Sequence, residues 1–328
     1  MPQEIGLEPV DSVAVTILMD NLTDPLIPDQ GPVTRLSWPK ALAGGAPRLV
    51  TALVPDGVPD ALIAEPGFSA LVRVEKGGRE RTLLFDTGVS PGGVVENMRR
   101  LGLALSEVEA IVLSHGHWDH VTGMDGVARA LGRRNLPVLI HPEFWARRRI
   151  RFPGLDPAEL PSTSRTALEG AGFEIIEERR PSFLLDGSVL ITGEVDRTTE
   201  FETGFKGHEA LRGGWEPDPL ILDDQALVVR IRDRGLLVLS GCGHAGIVNT
   251  VRFQKLTGER KVAGIVGGFH LSGPMFEAII PPTVAAFEEL APALLVPAHC
   301  TGWKAVHRLA ARFLDAFVQS AVGTTIEL

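Results

Sequence analysis

Short apolar blocks recur along the chain, and their spacing separates strands from helices. The blocks 12-SVAVTILMD-20, 49-LVTALV-54, 69-SALVRVE-75 and 82-TLLFDTG-88 have strand length. The last two flank KGGRE, a turn-forming link that predicts a hairpin. Helical spacing follows in 94-VVENMRRLGL-103, then a strand over 110–113, a helix near 124–131 and a strand in 137-PVLIHP-142. The C-terminal third repeats this rhythm. A hairpin (226–231 with 236–240) is followed by a helix over 247–258, a strand over 262–268, a helix over 281–290, a strand in 293-ALLVPAH-299 and a helix over 303–320. Strands alternating with helices imply α/β layers.

The stretch from about 143 to 220 breaks the rhythm. It is rich in Pro, Arg and Glu and has weak strands such as 188-SVLITG-193, which suggests a lid-like insertion in a single domain spanning 1–328. Its basic run, Arg147–Arg148–Arg149–Ile150–Arg151, is expected to be a solvated helix face.

The formal net charge of −9 argues against a nucleic-acid partner. Two cysteines, Cys242 and Cys300, form no disulfide framework and suit a reducing compartment. The N-terminal residues lack the apolar core of a signal peptide, and no long uncharged apolar run predicts a membrane span. A cytoplasmic protein acting on a small-molecule substrate is expected.

Candidate chemistry concentrates in 109-EAIVLSHGHWDHVTGMDG-126, where His115, His117, Asp119 and His120 lie within six residues at the end of an apolar strand. In extended chain, residues two apart point the same way, so His115 and His117 can grip one ion together. If the chain then turns into a helix, Asp119 and His120 face a second ion nearby. Imidazole and carboxylate are zinc ligands, and two such ions can share an acidified hydroxide. Three more strands end at histidines: His244, His270 and His299.

SHGHWDH resembles the H-x-H-x-D-H motif of the metallo-β-lactamase superfamily, and 83-LLFDTG-88 resembles the strand that precedes it there. The resemblance covers most of the chain and implies an αββα sandwich, an α/β fold of four layers, with a dinuclear metal site. The segments 16-TILMDNLTD-24, 192-TGEVDRTTEFE-202, 240-SGCGHAGIVNT-250, 266-VGGFHL-271 and 297-PAHCTGWKA-305 are similar to the group related to 7,8-dihydropterin-6-methyl-4-(β-D-ribofuranosyl)aminobenzene-5′-phosphate synthase. By this resemblance His115 and His117 bind one metal, Asp119 and His120 the second, and His299 is the last histidine ligand.

Two departures stand out. Cys242 aligns with the usual bridging aspartate, and His244 follows two residues later; His244 is favoured as the ligand, with Cys242 as an alternative or outer partner. The usual Gly-His is missing, with TGEVDR in its place. Asp86 is expected to orient a ligand histidine, and His141 either to support a ligand or to pack at a strand end. His270 is either a core histidine or a general acid near the metals. His208 and His307 are expected at the surface, and Cys300 as a small buried filler. Trp118 and Trp303 are expected in the core or against an aromatic substrate.

These residues imply a metal-dependent hydrolase or transferase acting at a phosphorus or carbonyl centre through a metal-bound hydroxide, with Asp119 and His270 as catalytic groups. Zinc is the expected ion, one or two per chain, with iron or manganese as alternatives. A pterin-type transferase is the first alternative function and an iron-dependent oxidoreductase the second. A metal-binding module without catalysis is a weaker competitor, and a true β-lactamase is not expected.

Overall fold

The computed structural model describes residues 5–45, 47–132, 135–152 and 154–328. Two main sheets stack face to face. The first has eight strands in the spatial order Phe173–Glu177, Leu136–Ile140, Val108–Val112, Arg79–Phe85, Ser69–Lys76, Ser12–Met19, Thr325–Glu327 and Val33–Thr34. Its first four strands are parallel and the rest are antiparallel. The second has six: Ser182–Leu184, Val189–Ile191, Ala226–Ile231, Gly235–Ser240, Val262–Gly268 and Leu295–Ala298. Its last three strands are parallel.

Side-chain alternation explains the layering. Leu83 and Phe85 point between the sheets to meet Leu227, Val229, Leu237 and Leu239. Leu84, Val138 and Ile140 point outward, against Val94 and Met98 of helix Gly93–Arg100 and Val127 of helix Met124–Leu131. On the far side, Val228 and Val238 pack against Ile247 and Val251 of helix Ile247–Arg252, and Phe287 and Leu309 close that layer. The result is the expected αββα sandwich. Both faces of each sheet are buried, so many strands read as continuous apolar runs.

Several local expectations change. Segment 49–54 contributes only Leu49, in the strand Arg48–Leu49 that pairs with Val58–Pro59 apart from the two main sheets, and Leu53 beyond it is 93% exposed. The last helix spans Trp303–Arg312 rather than 303–320. Beyond it the chain lies along the edge strand, where Leu295 donates to the Ala316 carbonyl and Val318 donates back to the Leu295 carbonyl. The helix expected over 247–258 divides at Phe253 into Ile247–Arg252 and Gln254–Thr257.

The stretch 143–220 is partly woven into the main sheets, since Phe173–Glu177, Ser182–Leu184 and Val189–Ile191 are strands of them. The remainder forms a separate four-stranded antiparallel sheet: Ala158–Glu159, Arg148–Ile150, His208–Leu211 and Trp215–Pro217. The basic run is therefore a strand, not a helix face. Arg148 points inward, 2% exposed, onto Asp223 and Asp218. Strand alternation buries one arginine, and two carboxylates satisfy it. Among the described residues no helix is long and apolar enough to cross a membrane.

Candidate metal centre

The parallel strands of both sheets end on one side of the sandwich, and the chemistry gathers there. Asp86 follows Arg79–Phe85, and His115 to His120 follow Val108–Val112. Cys242 and His244 follow Gly235–Ser240, His270 follows Val262–Gly268, and His299 follows Leu295–Ala298. Open α/β sheets present ligand sites at such carboxyl ends. Asp86, His270 and His299 all have positive φ, at 55°, 47° and 48°. Non-glycine residues adopt this at a cost, and it re-aims each side chain sharply from its strand. Gly241 is required for the sheets to meet here, since a Cβ on it would stand 2.6 Å from Asp86 Oδ2 and overlap Ser114 Oγ.

Two clusters result. In one, His115 Nε2 is 3.0 Å from His117 Nδ1, and His244 Nε2 is 3.1 Å from the same Nδ1. In the other, Asp119 Oδ2 is 3.3 Å from His299 Nε2 and 3.8 Å from His120 Nε2. Cys242 groups with His115 and His120, one residue from each cluster, with its Sγ 3.3 Å from His120 Nε2. Both His244 and Cys242 therefore face inward. His115, His117, His120, His244, His299 and Cys242 are all buried, and Asp119 is partly so.

The surrounding hydrogen bonds fix which nitrogen each ring turns inward. Asp86 Oδ1 accepts from the Ser114 amide (2.7 Å), and its Oδ2 accepts from Ser114 Oγ–H (2.7 Å) and His120 Nδ1–H (2.7 Å). Having donated its proton, Ser114 Oγ accepts from His115 Nδ1–H at 2.9 Å. Asn21 must donate its Nδ2–H to the His299 carbonyl at 3.0 Å, so its Oδ1 accepts from His299 Nδ1–H at 3.3 Å. In their neutral forms, His115, His120 and His299 therefore all present a bare Nε2 to the centre. Lone pairs facing one another, and facing the Asp119 carboxylate, require positive charge between them.

Protonation follows the same demand. Burial, reinforced by positive charge on neighbouring groups, pushes His115, His117 and His244 well below the usual histidine range, leaving them neutral. Burial would lower His120 as well, but Asp119 and Asp86 outweigh it and raise it to about 9. Without metal, a proton on His120 supplies the charge. Burial opposes ionisation of Asp119, yet His120 and His299 outweigh it and hold its carboxyl well below the ordinary range. Tetrahedral ligands at 2.0–2.1 Å from zinc stand roughly 3.3 Å apart, so the observed separations need shifts of only a few tenths of an ångström. The donor set fits divalent ions.

The remaining candidates are placed as follows. His270 lies against His244, tilted 51° with centroids 4.1 Å apart, and meets the Phe276 ring edge-on at 4.4 Å; its Nδ1 is buried without a hydrogen-bond partner. Beside it a small cleft of about 50 Å³ is walled by Phe201, Phe205, Met275, Phe276 and His244. His141 lies apart from the clusters, accepting from the Glu143 amide through Nδ1 and facing Glu194 through Nε2 at 3.3 Å. Cys300 is more than a filler: its Sγ donates to the Cys242 carbonyl at 3.2 Å, and it groups with Cys242 and His270. Trp118 and Trp303 are not in the core, being 36% and 68% exposed on short or terminal helical turns. His307 is exposed, as expected.

His208 is the main correction. It is fully buried, and its Nε2 stands 3.0 Å from His117 Nε2. The strand His208–Leu211 pairs with Arg148–Ile150 and so carries the ring to the cluster. A sequence signal was available only in hindsight, because a histidine opening a weak strand is common.

The description metallo-beta-lactamase superfamily matches residues 62–256. The chain belongs to this superfamily. It is 29% identical over 269 residues to a 7,8-dihydropterin-6-methyl-4-(beta-D-ribofuranosyl)-aminobenzene-5′-phosphate synthase of Methanocaldococcus jannaschii, covering 80% of this chain and 90% of that protein. An uncharacterized protein of the same organism is 30% identical over 265 residues, covering 80% and 93%. Among solved structures, Tm1679, a metal-dependent hydrolase of the beta-lactamase superfamily, superposes with a TM-score of 0.67 at 25% identity, covering 96% of this chain and 99% of that one. The metallo-beta-lactamase fold protein YhfI from Bacillus subtilis shares the fold, with a TM-score of 0.50 at 11% identity over 97% and 100%. The chain is thus a metallo-beta-lactamase-fold protein related to a metal-dependent hydrolase and to a synthase, with buried His and Cys groups suited to metal ions.

Proposed function

We propose that the chain is a zinc-dependent hydrolase acting at a phosphorus or carbonyl centre of a small molecule. The observation that carries this is the set of fixed tautomers, which aim His115, His120 and His299 through bare Nε2 atoms toward a shared centre with Asp119. His115, His117 and His244 would hold one ion, and Asp119, His120 and His299 a second, with Cys242 between the groups. Such ions supply Lewis acidity and lower the pKa of water, which provides a nucleophile near neutral pH.

The chain's own residues do the rest. Asp86 keeps His115 and His120 in their ligating tautomers and orients both rings. The aromatic cleft beside His244 flanks the substrate's approach and excludes water from one side. His270, at the junction of that cleft and the first cluster, protonates the leaving group. Replacing His270 with Gln is expected to lower kcat by roughly 10²–10⁴-fold with zinc content unchanged.

The similarity to the synthase, which extends over 90% of that protein, favours transfer to an acceptor as a second reading. Both are tested by incubating the zinc-loaded protein with a panel of aryl phosphate mono- and diesters and carboxylic esters in ¹⁸O-labelled water, with and without an aromatic amine. Label in the product identifies hydrolysis; an unlabelled amine adduct identifies transfer. No turnover across the panel, with zinc bound, would count against both.

A further inference from the structure

His117 has two ring nitrogens in contact with other imidazoles. Its Nδ1 faces His115 Nε2 and His244 Nε2, and its Nε2 faces His208 Nε2 at 3.0 Å. Distance alone leaves the proton on either nitrogen. The answer lies one residue further out. His208 Nδ1 is 3.2 Å from the backbone carbonyl of Asp218 and 3.4 Å from its Oδ2. A carbonyl oxygen only accepts, so His208 carries its proton on Nδ1 and offers a lone pair at Nε2. His117 must then donate through Nε2–H, which leaves Nδ1 bare toward the cluster.

We propose that His208 is a positioning residue of the metal centre, selecting the His117 tautomer that presents Nδ1. The relay runs from the Asp218 carbonyl through His208 to His117, and it rests on His117 being a ligand. The anchor is rigid. The Asp218 amide donates to the His208 carbonyl at 2.9 Å, and the Asp218 carboxylate faces Arg212 at 3.1 Å and Arg148 at 3.5 Å. Arg148 also pairs with Asp223, whose Oδ2 accepts from the Gly116 amide at 2.8 Å, between the two histidines of the motif. The small four-stranded sheet thus grips the ligand loop at two points. Ligand histidines usually donate their outer N–H to a carboxylate, carbonyl or water; here a second histidine is interposed.

The test is long-range ¹H–¹⁵N NMR of the imidazoles, in zinc-free and zinc-loaded protein, with zinc affinity measured by chelator competition. In the wild type His117 is expected as the Nε2–H tautomer in both forms. His208→Ala is expected to admit the Nδ1–H tautomer in zinc-free protein and to weaken zinc binding 10–100-fold. His208→Gln, whose amide oxygen can accept from His117 Nε2–H, is expected to restore affinity to within about threefold of wild type. A structural role alone would lower stability without moving the tautomer. Wild-type His117 protonated at Nδ1, or His208→Ala with wild-type tautomer and affinity, would overturn the proposal. Should His208→Ala not fold, the wild-type spectrum and His208→Gln decide it. The zinc-free spectrum tests the relay even if the chain binds no zinc, so failure of the metal reading remains distinguishable.

Discussion

Asp86→Asn is the most incisive substitution, because it changes one atom and reverses two rings. Asn Oδ1 can still accept from the Ser114 amide, leaving Nδ2 where Asp86 Oδ2 accepts from Ser114 Oγ–H and His120 Nδ1–H. That amide donates, so His120 must surrender its Nδ1 proton and carry one on Nε2, facing the centre. Ser114 Oγ must accept from the amide and turn its own proton toward His115 Nδ1, which drives the His115 proton to Nε2. Two ligands are then blocked by hydrogens. Loss of an outer partner costs about 10–100-fold per ligand, or roughly 1.4–2.8 kcal/mol, so two give a weakening of about 10²–10⁴-fold. Zinc affinity is read by competition with a chromophoric chelator, and folding by circular dichroism and urea titration. A folded variant binding zinc within threefold of wild type would refute the tautomer reasoning.

Three further outcomes follow from the buried charges. His120 is raised to about 9 in the metal-free chain against roughly 6.5 unfolded. Its contribution to stability is therefore full below pH 6.5 and lost as the pH rises toward 9, and His120→Gln should remove that part of the slope in thermal melts. Burial, helped by Asp223, raises Asp224 to about 7 from an ordinary 3.8, so Asp224→Asn should raise the Tm of metal-free protein most above pH 7, less at pH 5 and least below pH 3.8; a larger gain at pH 5 than at pH 8 would contradict the assignment. Arg148→Met leaves the fully buried Asp223 carboxylate without its bidentate partner and should cost about 3–5 kcal/mol in urea unfolding.

The fold and the heart of the site were legible because their signals are local. SHGHWDH places four donors within six residues at a strand end, and LLFDTG places Asp86 at the end of the neighbouring strand. His244, His270 and His299 were visible because each follows a strong apolar strand in a rhythmic βα region. What escaped depends on pairing across long separations. His208 reaches His117 over 91 residues only because the small sheet folds back, and nothing near His208 marks it as buried. Arg148 looked solvated among other arginines because its partners Asp218 and Asp223 lie 70 and 75 residues away. Segment 49–54 misled in the opposite sense: only Leu49 pairs, in a two-stranded ribbon outside the main sheets, and Leu53 stays exposed.

Elemental analysis of the zinc-loaded, dialysed protein tests the central claim most directly, with the double substitution of Asp119 and His120 by Ala as control. Two clusters of converging donors predict about two zinc ions per chain in the wild type and about one in the control. Less than half an ion per chain in the wild type would contradict the metal-centre account.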